Sequence, residues 1–322
     1  MKILVTGASG FVGQHLVKTL KQQGVCVVGV GRKLITSDAD MFFSVPDFAD
    51  INAWQKSLEG CDALVHLAAR VHVMQDKALN PLAAFRKVNV DATLNLAKNA
   101  AQAGVKRFVF ISSIKVNGER TEIAKPFTEE AVVNPQDAYA VSKNEAEQCL
   151  LQIAQQTGME VVIIRPPLIY GAGVKANFAS MMRAVKYGLP LPLGNIQNKR
   201  SFLYVGNLVS LIAKCIEHPK AANQVFLVSD GYDVSTTELL QACAKASGVK
   251  ARLFSVPLKL IEMTAAILGK RVAVQRLCGN LQVDISKARN LLGWEPPISV
   301  EDGLKATVLR FVGDKDLQEI NS

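Results

Sequence analysis

The stretch Ile3-Leu4-Val5-Thr6-Gly7-Ala8-Ser9-Gly10-Phe11-Val12-Gly13 constrains the fold more than any other part of the chain. It reads as a short apolar strand, a turn set by three glycines, and the opening of an amphipathic helix. Glycines let the backbone turn tightly and approach an anion closely. The helix N-terminus adds unpaired N–H groups and a dipole that favours negative charge. A strand before such a loop and a helix after it are the context in which it holds the pyrophosphate of a dinucleotide.

The same alternation continues. Apolar, β-branched runs fall at 3–5, 25–30, 63–67, 108–111 and 161–164, and segments of helical period lie at 12–22, 83–103 and 138–156. Short buried strands alternating with helices predict an α/β fold of Rossmann type, a doubly wound parallel sheet. The first 170 residues, with about 201–234, are expected to form that domain. Residues 171–200 and 235–312 are expected to form a smaller, mostly helical substrate lobe, and 313–322 a frayed tail.

At 322 residues the chain can bury a full core, and 49% apolar with 20% charged residues is ordinary globular composition. The apolar run at 258–268 is broken by Lys259 and Glu262, so no membrane span is expected. The apolar strand and glycines that follow Met1-Lys2 lack the pattern of a signal peptide, so none is expected. Six scattered cysteines suit free thiols in a reducing compartment, which predicts a cytoplasmic protein. His15, His66, His72 and His218 show no ligand spacing, so no metal is expected. The net charge of +9 is spread along the chain without a basic stripe. That pattern argues against nucleic acid and suits a small anionic ligand.

Two further patterns carry chemistry. At the end of the second strand Val30-Gly31-Arg32-Lys33 has no carboxylate to bind ribose hydroxyls. Arg32 suits a 2′-phosphate, so NADP(H) is favoured, with NAD(H) as the other possibility. Asp47 is a candidate acceptor for the adenine amino group. Tyr139-Ala140-Val141-Ser142-Lys143 places a phenol and an ammonium on one helix face. A tyrosine pKa of about 10 falls beside a cation, which would make Tyr139 a proton-transfer group with Lys143 as its partner. Ser112-Ser113 ends a strand at the carboxyl edge, where open α/β sheets bind ligands, and Ser113 is placed to hydrogen-bond a reacting oxygen.

Together with His66-Leu67-Ala68-Ala69, Asn89-Val90-Asp91, Tyr170-Gly171 and Leu292-Gly293-Trp294, these motifs resemble the extended short-chain dehydrogenase/reductases over nearly the whole chain. The likeness is to their nucleotide-sugar epimerase, dehydratase and reductase branch. It implies a catalytic trio of Ser113, Tyr139 and Lys143. It also implies a cofactor lined by Gly7, Gly10, Phe11, Val12, Gly13, Leu67, Ala68, Ala69 and Asn89. Leu191 would lie beside a uracil base, Arg200 and Arg276 on a diphosphate, and Lys115 near the sugar. A homodimer would form through 82–103 and 138–156.

Where many epimerases carry a polar residue before the Tyr-Gly motif, this chain has Leu168, and Asn117 stands where a tyrosine is common. These departures resemble the subgroup that reduces UDP-4-keto-6-deoxy-N-acetylhexosamines for surface polysaccharides. Reduction at C4 of a UDP-sugar is therefore the first expectation, and 4-epimerisation of UDP-glucose or UDP-N-acetylglucosamine the alternative. Ile114-Lys115 replaces the acidic pair of dehydratases. A non-catalytic dinucleotide-binding regulator would be expected to have lost part of the trio.

Overall fold

The computed structural model describes residues 1–33, 37–48, 50, 54–71, 80–174 and 176–319. His72 lies outside them. Seven parallel strands make the central sheet: β1 (Lys2–Thr6), β2 (Cys26–Gly31), β3 (Met41–Ser44), β4 (Ala63–His66), β5 (Arg107–Ile111), β6 (Glu160–Arg165) and β9 (Val225–Leu227). Their spatial order is β3-β2-β1-β4-β5-β6-β9. The order reverses beside β1, which leaves a crevice at the carboxyl ends of β1 and β4.

Both faces of the sheet are buried, and the strand period of two sorts the side chains between them. Ile3, Val5, Val109, Ile111, Val162 and Ile164 pack on α1 (Phe11–Gln22) and α7 (Val205–Glu217). Their neighbours Leu4, Phe108, Phe110, Val161 and Ile163 face α4 (Ala92–Gln102) and α5 (Ala138–Thr157). This two-sided burial is why the strands read as near-continuous apolar runs.

The single helix expected over 83–103 is instead three pieces. They are α3 (Pro81–Arg86), a π-helical stretch at Lys87–Asp91, and α4. The extra residue per turn in the π stretch turns Asn89 inward, where it is buried.

A second sheet, in the order β10-β8-β7, joins β7 (Leu168–Tyr170), β8 (Arg200–Tyr204) and β10 (Asp233–Val234). Residues 200–204 and 233–234 thus pair in this second sheet and not in the main one. A third core holds this sheet to α6 (Ala176–Lys186), α8 (Thr236–Ala246) and α12 (Val300–Glu319). Tyr170 links the lobes: it is fully buried and its hydroxyl donates to Asp230 at 2.8 Å. Residues 313–319, expected as a frayed tail, continue helix α12 to Glu319. No helix among the described residues is long and apolar enough to cross a membrane.

Candidate active site

The glycine loop forms a close turn at the crevice. Gly10 N–H donates to Gly7 O at 2.8 Å, and Gly7 has φ +67°, a conformation that disfavours any side chain. A Cβ on Gly7 would stand 2.9 Å from Ala68 N, and one on Gly13 would stand 2.1 Å from Gly7 O. These obstacles are backbone and cannot swing aside. Helix α1 has no side-chain cap and no acidic residue in its first turn, so its positive end is open to an anion. The cradle therefore fits a dinucleotide pyrophosphate. Gly13→Ala is expected to cost about 1–3 kcal/mol from overpacking and to abolish thermal stabilisation by added NAD or NADPH, whichever stabilises the wild type. A retained thermal shift would show that the loop holds no dinucleotide.

Behind the loop, Thr6, His66 and Thr93 tie β1, β4 and α4 together. His66 Nδ1 lies 2.7 Å from Thr6 Oγ1 and its Nε2 lies 3.0 Å from Thr93 Oγ1. Burial, aided by the charge of Lys143, lowers the His66 pKa from 6.5 to about 3. A folded pKa below the unfolded value means that the unfolded chain binds the extra proton. This stabilisation is complete above about 6.5 and declines as pH falls toward 3. Urea midpoints measured across that window should fall less steeply in His66→Gln than in the wild type.

Leu67, Ala68 and Ala69 follow β4 at the crevice, and Ala68 N–H donates to Thr6 Oγ1 at 3.3 Å. Asn89, expected beside the cofactor, clamps the next turn of chain. Its Oδ1 accepts from Arg70 N at 2.8 Å, and its Nδ2 donates to Arg70 O and Ser142 Oγ, each at 3.0 Å. It positions the chain after β4 against the helix that bears Tyr139. Phe11 and Val12 open α1, Arg32 is exposed just beyond β2, and Asp47 is exposed beyond β3.

A cavity of 460 Å³ opens where the two lobes meet, within the roughly 300–1,000 Å³ typical of ligand sites. Ser113, Lys115 and Tyr139 line it from the main domain, and Arg200 and Arg276 from the smaller lobe. Leu168, Phe178, Met181 and Leu281 make much of the remaining wall apolar. Residues from four separate stretches of the sequence, at 113–115, 139, 200 and 276, are thereby brought to one space. Leu191 is not among the lining residues. It pairs with Leu253 and packs on the third core, because an apolar side chain there gains more from burial than from the cavity rim.

Asp137 caps α5, accepting from Ala140 N at 2.8 Å, and so fixes the helix start one residue before Tyr139. Burial pushes the Tyr139 phenol up to about 12, against a hydrogen bond with Ser113 that pulls it down. The lowering expected from Lys143 is absent. That ammonium is turned onto Ile111 O, 2.6 Å away, and lies 4.1 Å from the centre of the Phe110 ring. Desolvation lowers Lys143 to about 7, while the Glu147 carboxylate raises it. Tyr139 is thus a protonated acid beside a hydroxyl, with an easily neutralised amine on the same helix face.

Lys115 carries its own counter-ions at the cavity wall. Its ammonium is paired with Glu119 at 3.0 Å and Asp137 at 2.5 Å, so its charge is already matched. Glu119 also lies 3.6 Å from Arg276. Arg200 has no carboxylate partner among the described residues. It donates from Nη1 to Gly279 O at 2.9 Å, and burial lowers its pKa. An arginine desolvated at a cavity wall without an acid is suited to a phosphate group.

Glu119, Asp137 and Glu147 were not singled out from the sequence. Asp137 had a legible signal, since an Asp before a helical segment is a cap. Glu147 had the spacing of four from Lys143 on the same face.

Fold and site together define a nicotinamide-dinucleotide-dependent enzyme of the short-chain dehydrogenase/reductase type. Residues 3–229 match the NAD dependent epimerase/dehydratase family, and the chain belongs to that family. It is 49% identical over 312 residues to a UDP-glucose 4-epimerase of Vibrio cholerae, covering 96% of this chain and 95% of the relative. Its fold is similar to a UDP-glucose 4-epimerase of Thermotoga maritima solved with UDP-glucose. The TM-score is 0.79 at 24% identity, covering 98% of this chain and all of the other. It is also similar to the Pseudomonas aeruginosa protein RMD in complex with NADPH. There the TM-score is 0.76 at 27% identity, over 97% and 99% of the two chains.

Proposed function

We propose that this protein is a UDP-hexose 4-epimerase. The similarity to the Vibrio cholerae UDP-glucose 4-epimerase along almost the whole of both chains carries the reading. It reverses the order of the sequence expectations, in which reduction stood first. The geometry supports it because Ser113 and Tyr139 share a cavity with Arg200 and Arg276.

In this reading the arginines hold the diphosphate and the sugar's O4 lies against Ser113 and Tyr139. A bound nicotinamide supplies the acceptance and return of hydride at C4. Tyr139 moves the proton of the 4-hydroxyl, first away and later back. Ser113 hydrogen-bonds the oxygen while it carries charge, and Lys143, in its protonated form, is the cation on the Tyr139 face. The glycine cradle, Leu67–Ala69 and the exposed Arg32 line the dinucleotide, with Asn89 setting their backbone. The homodimer through 82–103 and 138–156 and a cytoplasmic setting belong to the same proposal.

The test is to incubate the purified protein with UDP-glucose, without added cofactor, and follow UDP-galactose by chromatography. Interconversion with retained NAD is the expected result. Failure with both UDP-glucose and UDP-N-acetylglucosamine, even with NAD added, overturns it. One observation favours reduction of a UDP-4-keto sugar as the second reading: the end of β2 carries no carboxylate. Consumption of NADPH with a UDP-4-keto-6-deoxy-N-acetylhexosamine would establish it.

Arg200 separates binding from chemistry. Charge-assisted hydrogen bonds contribute about 1.5–3 kcal/mol, so Arg200→Ala is expected to raise KM roughly 10- to 100-fold and change kcat only a few-fold. Steady-state kinetics with Arg200→Lys should recover part of that loss. An unchanged KM would remove Arg200 from the diphosphate site.

A further inference from the structure

The feature that catalysis leaves unused is the hairpin of α9 (Leu258–Ile267) and α10 (Arg271–Cys278). Of α9 only Ile261 and Ala265 are buried, and α10 buries no residue. On the open face of α9, Leu260, Met263 and Ile267 follow one another at spacings of three and four, with Ile267 84% exposed. Leu268, 68% exposed, and Val272, 55% exposed, continue the apolar surface into the turn and α10. A short helix that is apolar on its covered face and on its open face has a second, missing neighbour.

The charges around this surface indicate what that neighbour is. Lys259, Lys270 and Arg271 are exposed and have no carboxylate partner among the described residues. Glu262 is the lone acid of the hairpin. Apolar side chains ringed by unpaired cations complement an anionic lipid surface, where the former enter the acyl boundary and the latter meet phosphates. A two-fold contact with a second copy would instead face these cations with their own equivalents. The ten residues of α9 span about 15 Å, too short to cross a bilayer but suited to lie on one.

We propose that the α9–α10 hairpin docks this protein on an anionic membrane surface. The hairpin is continuous with the candidate site: Arg276 and Leu277, at the end of α10, line the cavity. Leu277 O accepts from Asn198 Nδ2 at 3.0 Å, fixing that end to the smaller lobe. Docking therefore brings the cavity close to the headgroup layer. The proposal is independent of which sugar reaction the enzyme runs.

The test is co-sedimentation of the full chain with vesicles of equal parts phosphatidylglycerol and phosphatidylcholine, beside vesicles of phosphatidylcholine alone. Binding to the anionic vesicles is expected, weakening as salt is raised. M263E/I267E should reduce it about tenfold or more, and K259E/K270E/R271E should do the same. Neither set touches the cavity, so thermal unfolding and binding of the nicotinamide dinucleotide, NAD or NADPH, should stay at wild-type values. If a variant loses these, Ile267→Ser provides a milder version of the same test. Absence of wild-type binding at low salt overturns the proposal, as does undiminished binding by the folded variants. A change of oligomeric state in M263E/I267E, without lipid binding by the wild type, would assign the face to a second copy.

Discussion

Replacing Tyr139 by phenylalanine is expected to lower kcat by about 10²- to 10⁴-fold, the usual contribution of a positioned proton-transfer group. The substitution removes one hydroxyl. The ring keeps its edge contact with Phe85, whose centroid lies 6.0 Å away, and the capped start of α5 is untouched. KM should therefore change little, so that kcat and kcat/KM fall together, the signature of an interaction made in the transition state. Ser113→Ala is expected to cost less, since it removes a hydrogen bond and leaves the proton carrier in place. Turnover of Tyr139→Phe within a few-fold of wild type, measured on whichever UDP-sugar the protein converts, would show that Tyr139 does not carry the proton. The result bears equally on epimerisation and reduction, because both need a proton moved at O4.

Much of the frame that sets up this expectation is legible in the sequence. Strands such as Phe108-Val109-Phe110-Ile111 are apolar at every position because helices cover both faces, and that pattern is visible in one dimension. The loop at Gly7, Gly10 and Gly13 is equally plain, since its glycines stand where backbone approaches backbone.

Less visible was anything decided by neighbours remote in sequence. Residues 83–103 keep a helical pattern throughout, so the π stretch that buries Asn89 left no periodic trace. Lys115 reads as a free cation until Asp137 and Glu119 fold beside it. The pKa of Tyr139 turns on burial and on where the Lys143 ammonium points, neither of which spacing alone conveys. In the same way 258–268 reads as an apolar run broken by Lys259 and Glu262, and only the fold leaves one of its faces uncovered.

The second large effect is expected beneath the site, at Glu147. Its carboxylate is 3% exposed and accepts from the Ser112 hydroxyl. Arg165 holds it from two sides, with Nε 3.0 Å from Oε1 and Nη2 2.5 Å from Oε2. Arg165 reaches on to Asn117 Oδ1 at 3.0 Å, which fastens β5, α5 and β6 into one unit. Removing one partner of such a pair strands the other charge in the core. Glu147→Ala and Arg165→Met are therefore each expected to cost about 3–5 kcal/mol in urea unfolding. Removing both charges together, as Glu147→Leu with Arg165→Met, should cost much less than the sum, since neither ion is then left alone. Strict additivity would show that the pair is not coupled. Glu147 also raises the Lys143 pKa, so a folded Glu147→Gln protein should titrate Lys143 below its wild-type value of about 7. An NMR titration of the Lys143 ammonium that moved upward, or not at all, would separate the stability of this network from any hold on the catalytic face of α5.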